Sequence, residues 1–406
     1  MTIVGGIALE GFPETLESGT SGVEVRIARS GAGVEDIREI WSARPTHRDS
    51  DIDFCHGFVW DRKEVIRPHV IVVYRNGLPD ALMVGRLECI RWKSKIGYLQ
   101  LPEVPSRALL FSYQGLLGDA SPENCVEILA AIKTALRNGE ADVAFLPNLR
   151  LGSTLYESAL SASGFGNRNR VAKPGTHYVM RLPNDLKDVY SALSGNHRSD
   201  LKRKAKKLMA DHQGNVKVCA YRAPAELPDL MQKAEEIAKR TYQRGLGVGF
   251  QDNEEMRRRL HLCAEKGWLR AYVLHVGDTP CAFWIGTLYH GSFCSDYLAF
   301  DSRFGAYSPG TFLLMKVLEE FCTAGVREVD FGPGEARYKE QFGNSPSEEA
   351  SIFIFAPNPK GALLDAIRAS AGFADNLAKK ILGDTGLLPR VKKLWRSRLA
   401  KTTVAE

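Results

Sequence analysis

The pattern Pro79-x-Ala81-x-x-x-Gly85-x-Leu87 recurs with the same internal spacing as Pro280-x-Ala282-x-x-x-Gly286-x-Leu288. A chain that repeats itself in this way builds one arrangement of elements twice, which restricts its architecture more than any compositional figure. Two further matches keep the same order. Ser121-Pro122 opens an apolar-periodic run ending in GEADVAFL, and Ser308-Pro309 opens one ending in GVREVDFG; beyond them LYESALSASGFG has a shorter counterpart in RYKEQFG. In each run Ser is expected to cap a helix, Pro to occupy its first position, and Gly139 or Gly325 to end it ahead of a strand.

At 406 residues the chain suits two domains, because single cores rarely grow past about 250 to 300 residues. The second half reads as strand 215–222, helices near 226–243 and 253–265, and strands near 269–276, 280–290 and 293–300. Helix 309–324, strand 326–331, a short helix 336–342 and strand 351–356 follow. The first half repeats this order more loosely: strand 22–28, a helix near 34–44, strands near 69–75, 79–92 and 108–113, helix 122–138, strand 142–146 and helix 153–163. A basic helix over about 185–212 separates the halves, with Leu201, Ala205 and Leu208 as a narrow apolar stripe.

Hydrophobic content of 44% and charged content of 25% are those of a globular chain. The N-terminal stretch lacks a basic region followed by an unbroken apolar core, so it does not read as a signal peptide. The uncharged run Thr279 to Ser295 alternates small, aromatic and polar residues, as paired strands do, and is not a membrane span. Eight cysteines stand without any Cys-x-x-Cys pair or Cys/His zinc spacing, and are expected as reduced, buried thiols; no metal is expected. The net charge of +6 concentrates in HRSDLKRKAKK (197–207) and RVKKLWRSRLAK (390–401), which suits an acidic partner.

The Arg/Lys-rich segment Arg198–Lys207, Tyr307-Ser-Pro-Gly-Thr311, Asp330-Phe-Gly332 and Tyr338-Lys339 together resemble the GNAT acyltransferases. Within them they resemble the bacterial branch associated with cellulose biosynthesis (the CelD/BcsL type). The overlap runs over about 190–345, and the two-copy layout is similar to the Fem-type aminoacyl transferases. The resemblance implies an α/β (α+β) tandem duplicated GNAT fold, each copy a mixed, mostly antiparallel sheet flanked by helices. It divides the chain into 1–182 without a donor site, 183–358 as the acyltransferase domain, and 359–406 as a basic helical tail.

The resemblance further implies acetyl-CoA or another acyl-CoA as co-substrate, its pyrophosphate across the loop before the long second-half helix. Arg303, Gly305, Tyr307, Ser308, Gly310 and Thr311 are the candidate binding residues. Independently, a helix start at Ser308 to Thr311 gathers backbone N–H groups and the positive dipole end at one point, and Gly310 would let an anion approach. The segment departs from the superfamily's Gln/Arg-x-x-Gly-x-Gly/Ala, with Ser308 in the middle glycine slot, Gly305 in the Gln/Arg slot and Arg303 displaced by two. In the first copy Glu123 takes the slot of Gly310, and its carboxylate is expected to occupy the N–H groups and repel phosphate.

Tyr338 matches the tyrosine that protonates the leaving thiolate in GNAT enzymes. Asp330, charged within an apolar strand, is the first candidate for general base, ahead of Asp296, Glu335 and His290. The resemblance makes the expected function acyl transfer from CoA to an amine or hydroxyl, in cell-envelope or exopolysaccharide synthesis. The acceptor would be a small molecule or glycan, and the site of action the cytoplasm, peripheral to the inner membrane and its anionic surface. The alternatives are a Fem-like transferase using aminoacyl-tRNA, and a non-catalytic assembly factor that keeps the fold. No Ser-His-Asp order, Gly-x-Ser-x-Gly or Walker sequence is present to support serine or NTP chemistry.

Overall fold

The computed structural model describes residues 15–17, 22–92, 95–96, 99–100, 103–161, 169–241, 244 and 249–370. The chain forms two compact units, one of Met1–Pro174 with Ala350–Asp375 and one of Gly175–Glu349 with Asn376–Glu406. The boundaries therefore differ from 182 and 358. Strand Gly175–Arg181 pairs antiparallel with Glu328–Pro333 of the second unit, while Ile352–Ile354 pair with Asn169–Val171 of the first. Hydrogen-bond ladders between residues far apart in sequence set these limits, and no local pattern announces them. Of the expected tail, 359–370 is helical and 371–406 lies outside the described residues.

The first unit orders its strands Thr15–Glu17, Val23–Ala28, Val70–Arg75, Leu78–Trp92, Val104–Gly118, Val143–Arg150 and then the end of Ser347–Phe355. Alternate residues point to opposite faces. Val25, Ile27, Ile71 and Val73 pack under helix Pro122–Arg137, whereas Val70, Val72 and Tyr74 pack with Val34, Ile37 and Trp41. The expected helix near 34–44 is two short pieces, Gly31–Glu35 and Arg38–Ser42.

The second unit orders Gly175–Arg181, Glu328–Pro333, Ser292–Phe300, Thr279–Tyr289, Leu269–Val276 and Val216–Tyr221. Helix Pro309–Thr323 buries Leu313, Leu314, Val317 and Leu318 on the face that carries Tyr272, Leu274, Ala282 and Trp284. Each such side chain contributes roughly 1.5–3 kcal/mol by leaving water. Helices Leu227–Ala238 and Glu254–Glu265 pack on the same strands and bury Leu230, Ala234, Ile237 and Leu260. The expected basic helix is two helices, Leu186–Ala192 and Gly195–Asp211, because Leu193 turns extended and Ser194 caps the second from its side chain.

The repeated sequence motif has a repeated structural meaning. Asp80 is an extra residue between Pro79, opposite Tyr74, and Ala81, opposite Val73; Cys281 is likewise extra between Pro280 and Ala282. Both bulge carbonyls accept from an aspartate N–H at the next strand's end, Asp119 to Asp80 at 3.0 Å and Asp301 to Cys281 at 2.8 Å. A Cβ on Gly85 would lie 2.7 Å from the Phe111 ring, and one on Gly286 would lie 2.5 Å from the Phe293 ring and 2.4 Å from the Cys294 carbonyl. Only glycine lets an aromatic cross the sheet there in either copy. The cysteines are all free, and six are buried as expected, but Cys89 is exposed.

Candidate active site

Strand Ser292–Phe300 pairs with Thr279–Tyr289 along its length, but with the parallel strand Glu328–Pro333 only at Ser292↔Glu328, Phe293↔Val329 and Cys294↔Asp330. Where that pairing stops, the register slips from Gly286↔Ser295 to Ile285↔Tyr297, leaving Asp296 as a one-residue bulge. A bulge bends its strand and ends pairing, so the two parallel strands open apart beyond Cys294. Asp296 is tied back to helix Glu254–Glu265 by Arg259 Nη2, 2.5 Å from its Oδ1. The first unit lacks this device: its slip between Met83 and Gly85 spans residues 112–115, an excursion of four residues with Gln114 at φ +48°.

Chain leaving the opened strand makes a 3-10 turn, Ser302–Tyr307, that delivers the start of helix Pro309–Thr323. Asp301, with no exposed surface, caps the turn through Arg303 N–H at 2.9 Å. Burial pushes the Asp301 carboxyl up, but the Arg303 bonds and Arg240 outweigh it and hold it below the usual range. Arg303 is thereby spent on Asp301, its Nε and Nη2 at 2.9 and 2.7 Å from Oδ2. Gly305 faces open space. Its carbonyl accepts from Ser308 N–H at 3.2 Å, which joins the turn to the helix start.

Tyr307, Ser308 and Thr311 come together along a groove shared with helices Leu186–Ala192 and Gly195–Asp211. Tyr307 donates its hydroxyl proton to Asp211 at 2.9 Å, and that bond raises its pKa. Ser308 is not the expected cap: it sits at φ +51°, ψ +57° with no side-chain bond to the helix. Its carbonyl instead takes the N–H groups of Thr311 and Phe312 at 3.0 Å. Gly310 also has a packing reason to be small. It is buried, and a Cβ there would stand 3.3 Å from the Phe300 ring, so the missing side chain serves helix-to-strand packing.

The matching helix of the first unit begins differently. Ser121 caps it conventionally, accepting from Asn124 N–H at 3.4 Å. The fully buried Asn124 side chain donates to Asp80 Oδ2 at 2.8 Å and to the Asp119 carbonyl at 3.0 Å. Glu123, expected to block this start, is exposed. The start is closed by Ser121, with Asp80 and Asp119 beside it and Glu123 in its first turn, so an anion is disfavoured there.

Asp330 lies at the last paired position before the opening, and it is engaged. His177 Nε2–H donates to its Oδ1 at 2.6 Å, and Gly332 N–H donates to the same oxygen at 2.7 Å. The other face of the imidazole, Nδ1–H, donates to Glu349 Oε2 at 3.1 Å. Burial alone would lower the His177 pKa, but the two carboxylates raise it to about 9, so the ring is an imidazolium at neutral pH. Asp330, the expected general base, is thus held between an imidazolium and an amide N–H. Sequence reading did not find His177.

Lys339 Nζ donates to the Pro333 carbonyl at 2.8 Å and the Gly332 carbonyl at 3.3 Å. Desolvation lowers its pKa, against a smaller opposing effect of Asp330. It closes the Gly332–Pro333–Gly334 turn, whose glycines take φ +73° and +96°. Tyr338, beside it, meets Phe331 edge-on at 5.7 Å between ring centroids. Of the other candidate bases, Asp296 is paired with Arg259, Glu335 is exposed, and His290 is exposed in the hairpin turn at the far end of strand Ser292–Phe300.

Residues 195–340 match the acetyltransferase (GNAT) domain family. With the bulges, the crossing glycine and the crossover helix repeated in the first unit, the duplication is decided. The chain has the tandem GNAT fold. The chain is similar to FemX, at 10% identity and a TM-score of 0.60, over 82% of this chain and 98% of FemX. A tandem GNAT protein from the clavulanic acid biosynthesis pathway aligns at 11% identity and a TM-score of 0.49 over 83% of this chain and 99% of its own. A conserved protein of unknown function from Bacteroides thetaiotaomicron aligns at 12% identity and a TM-score of 0.49, over 79% of this chain and 97% of its own. No curated protein matches the chain in sequence.

Proposed function

We propose that this tandem GNAT is an acyltransferase whose second unit moves an acyl group, acetyl in the simplest case, from coenzyme A to an amine or hydroxyl acceptor. The observation that carries the reading is the opening beyond Cys294 beside the helix start at Ser308. Strand separation there follows from the bulge at Asp296. An extended thioester arm fits between parting strands, and its phosphates fit the N-terminus of a helix that no side chain caps. In this reading the Tyr338 hydroxyl gives the departing thiolate its proton. Asp330 and His177 hold the Gly332 turn in shape instead of moving a proton, and Lys339 fixes the same turn through its carbonyls.

The acceptor in this proposal is a small molecule or glycan of envelope or exopolysaccharide synthesis. The protein would then work in the cytoplasm, against the anionic face of the inner membrane. Among the described residues no helix is long and apolar enough to cross a membrane.

Thr311→Glu tests the donor. A glutamate at the third helical position favours the helix start itself, so the fold survives while a carboxylate meets the donor's phosphates. Acetyl-CoA should raise the melting temperature of the natural protein and leave that of Thr311→Glu unmoved. Stabilisation by aminoacyl-tRNA without any response to acyl-CoA would replace this reading with the aminoacyl-tRNA alternative, and silence towards both would favour the non-catalytic assembly factor.

A further inference from the structure

The basic helix Gly195–Asp211 has no part in the chemistry above, yet it forms one wall of a cavity of about 340 Å³ in the second unit. That volume lies within the usual range for small-ligand sites, about 300 to 1,000 Å³. Leu201, Ala205, Phe312 and Met315 give it an apolar lining, and Tyr190 and Tyr307 add aromatic surface. Its polar groups are few. Lys204 Nζ is held 2.8 Å from Asp200, and Lys316 Nζ 3.0 Å from Glu319. Two more ammonium groups stand on the tyrosines, Lys202 at 5.9 Å from the Tyr190 ring and Lys207 at 5.6 Å from the Tyr307 ring. Of the helix's cations Arg198, Lys202, Arg203, Lys204, Lys206 and Lys207, set against only Asp200 and Asp211, Lys204 reaches the lining, where it and Lys316 stand with the single carboxylate of Glu319.

Ser308 and Thr311 belong to the same lining, so the cavity begins at the helix start where the donor's phosphates are read to bind. The group joined to those phosphates is an adenosine carrying a 3′-phosphate: a flat, weakly polar ring system next to a dianion. Aromatic and aliphatic walls with lysines at the rim match that pairing of shape and charge. We infer that the cavity holds the 3′-phosphorylated adenosine end of coenzyme A, with Lys204 as the cation facing the 3′-phosphate. The inference rests on the acyl-CoA reading and adds to it the part of the donor that the basic helix recognises.

Titration calorimetry on the full chain with CoA, 3′-dephospho-CoA and 4′-phosphopantetheine tests it. CoA should bind about tenfold more tightly than 3′-dephospho-CoA, as one charge-assisted contact predicts. Lys204→Gln should cost CoA about tenfold and leave 3′-dephospho-CoA within about twofold. Ala205→Trp, which fills the cavity, should abolish the advantage of CoA over 4′-phosphopantetheine. Equal binding of CoA and 3′-dephospho-CoA by the natural protein overturns the inference and leaves the acyl-CoA reading standing. Binding of none of the three ends both. Tighter binding of dodecyl phosphate than of CoA also overturns it, because the cavity would then be selecting an alkyl chain.

Discussion

At the scale of single residues, the most consequential side chain is one with no sequence signal. His177 is 3% exposed and lies between Asp330 and Glu349, partners 153 and 172 positions away in the chain. Its folded pKa of about 9 exceeds the ordinary 6.5. The stability it adds is therefore fully present below about pH 6.5 and is lost as pH rises through about 9. The contribution is on the order of 3 kcal/mol. Lys339, whose pKa is lowered, works in the opposite sense at higher pH. Comparison with His177→Gln isolates the histidine: urea denaturation at pH 6 and pH 9.5 should show the gap between natural protein and variant shrinking with pH. A gap that stays constant would mean that His177 is not charged in the fold. Glycines make a second contrast. Gly286→Ala should cost about 2 kcal/mol or more, since backbone and not a flexible tip stands against the new Cβ. Gly305→Ala, facing open space, should change stability by less than about 0.5 kcal/mol.

At the scale of elements, two helices with the same sequence grammar begin in different ways. Ser121-Pro122 and Ser308-Pro309 look alike, but only Ser121 accepts a bond from its helix, whereas Ser308 sits in the left-handed region. Ser121→Ala should therefore destabilise by about 1 kcal/mol. Ser308→Gly should stabilise by about 0.5 kcal/mol, as glycine relieves the positive φ at some entropic cost. Chemical denaturation reads both, and a loss of stability in Ser308→Gly would contradict the assigned conformation.

The helices that ended at Gly139 and Gly325 were legible because both glycines take the φ near +70° that a helix stop favours. The repeated Pro-Ala-Gly spacing was legible because it encodes a bulge and a crossing aromatic in each copy. Strand Gly175–Arg181 was not read as such, since its pairing comes from Glu328–Pro333. The break at Leu193 does have a local signal, Ser194 as the cap ahead of Gly195. Within the site, Tyr307, Ser308 and Thr311 came from a local motif and do line one cavity. The commitment of Asp330 to His177, 153 positions away, depends on the fold, whereas Arg303 is taken by Asp301 only two positions before it.

At the scale of the whole molecule, the order of residues along the chain is not the order in which the cores are filled. The core of the first unit contains Ala350, Ile352, Ile354 and Ala356, all nearly inaccessible to water, from the far end of the sequence. Three of these sit on the strand that pairs with Asn169–Val171 and follows Val143–Arg150 in the sheet. A fragment ending at residue 182, the first copy as sequence alone delimits it, keeps the helices and the repeat motif but lacks that strand. Ile352 and Ile354 alone remove roughly 3–6 kcal/mol of apolar burial, comparable to the whole stability of an ordinary domain. Losing them also leaves Val143–Arg150 as an open edge, prone to association. Fragment 1–182 should therefore show no cooperative thermal transition by circular dichroism and should aggregate. The same fragment with residues 350–375 joined through a flexible linker should recover a single sharp transition, since the added segment restores both the ladder and the apolar contacts. Cooperative unfolding of 1–182 by itself would mean that the first core closes without its last strand, and that the division at residues 174 and 350 does not describe how the chain folds.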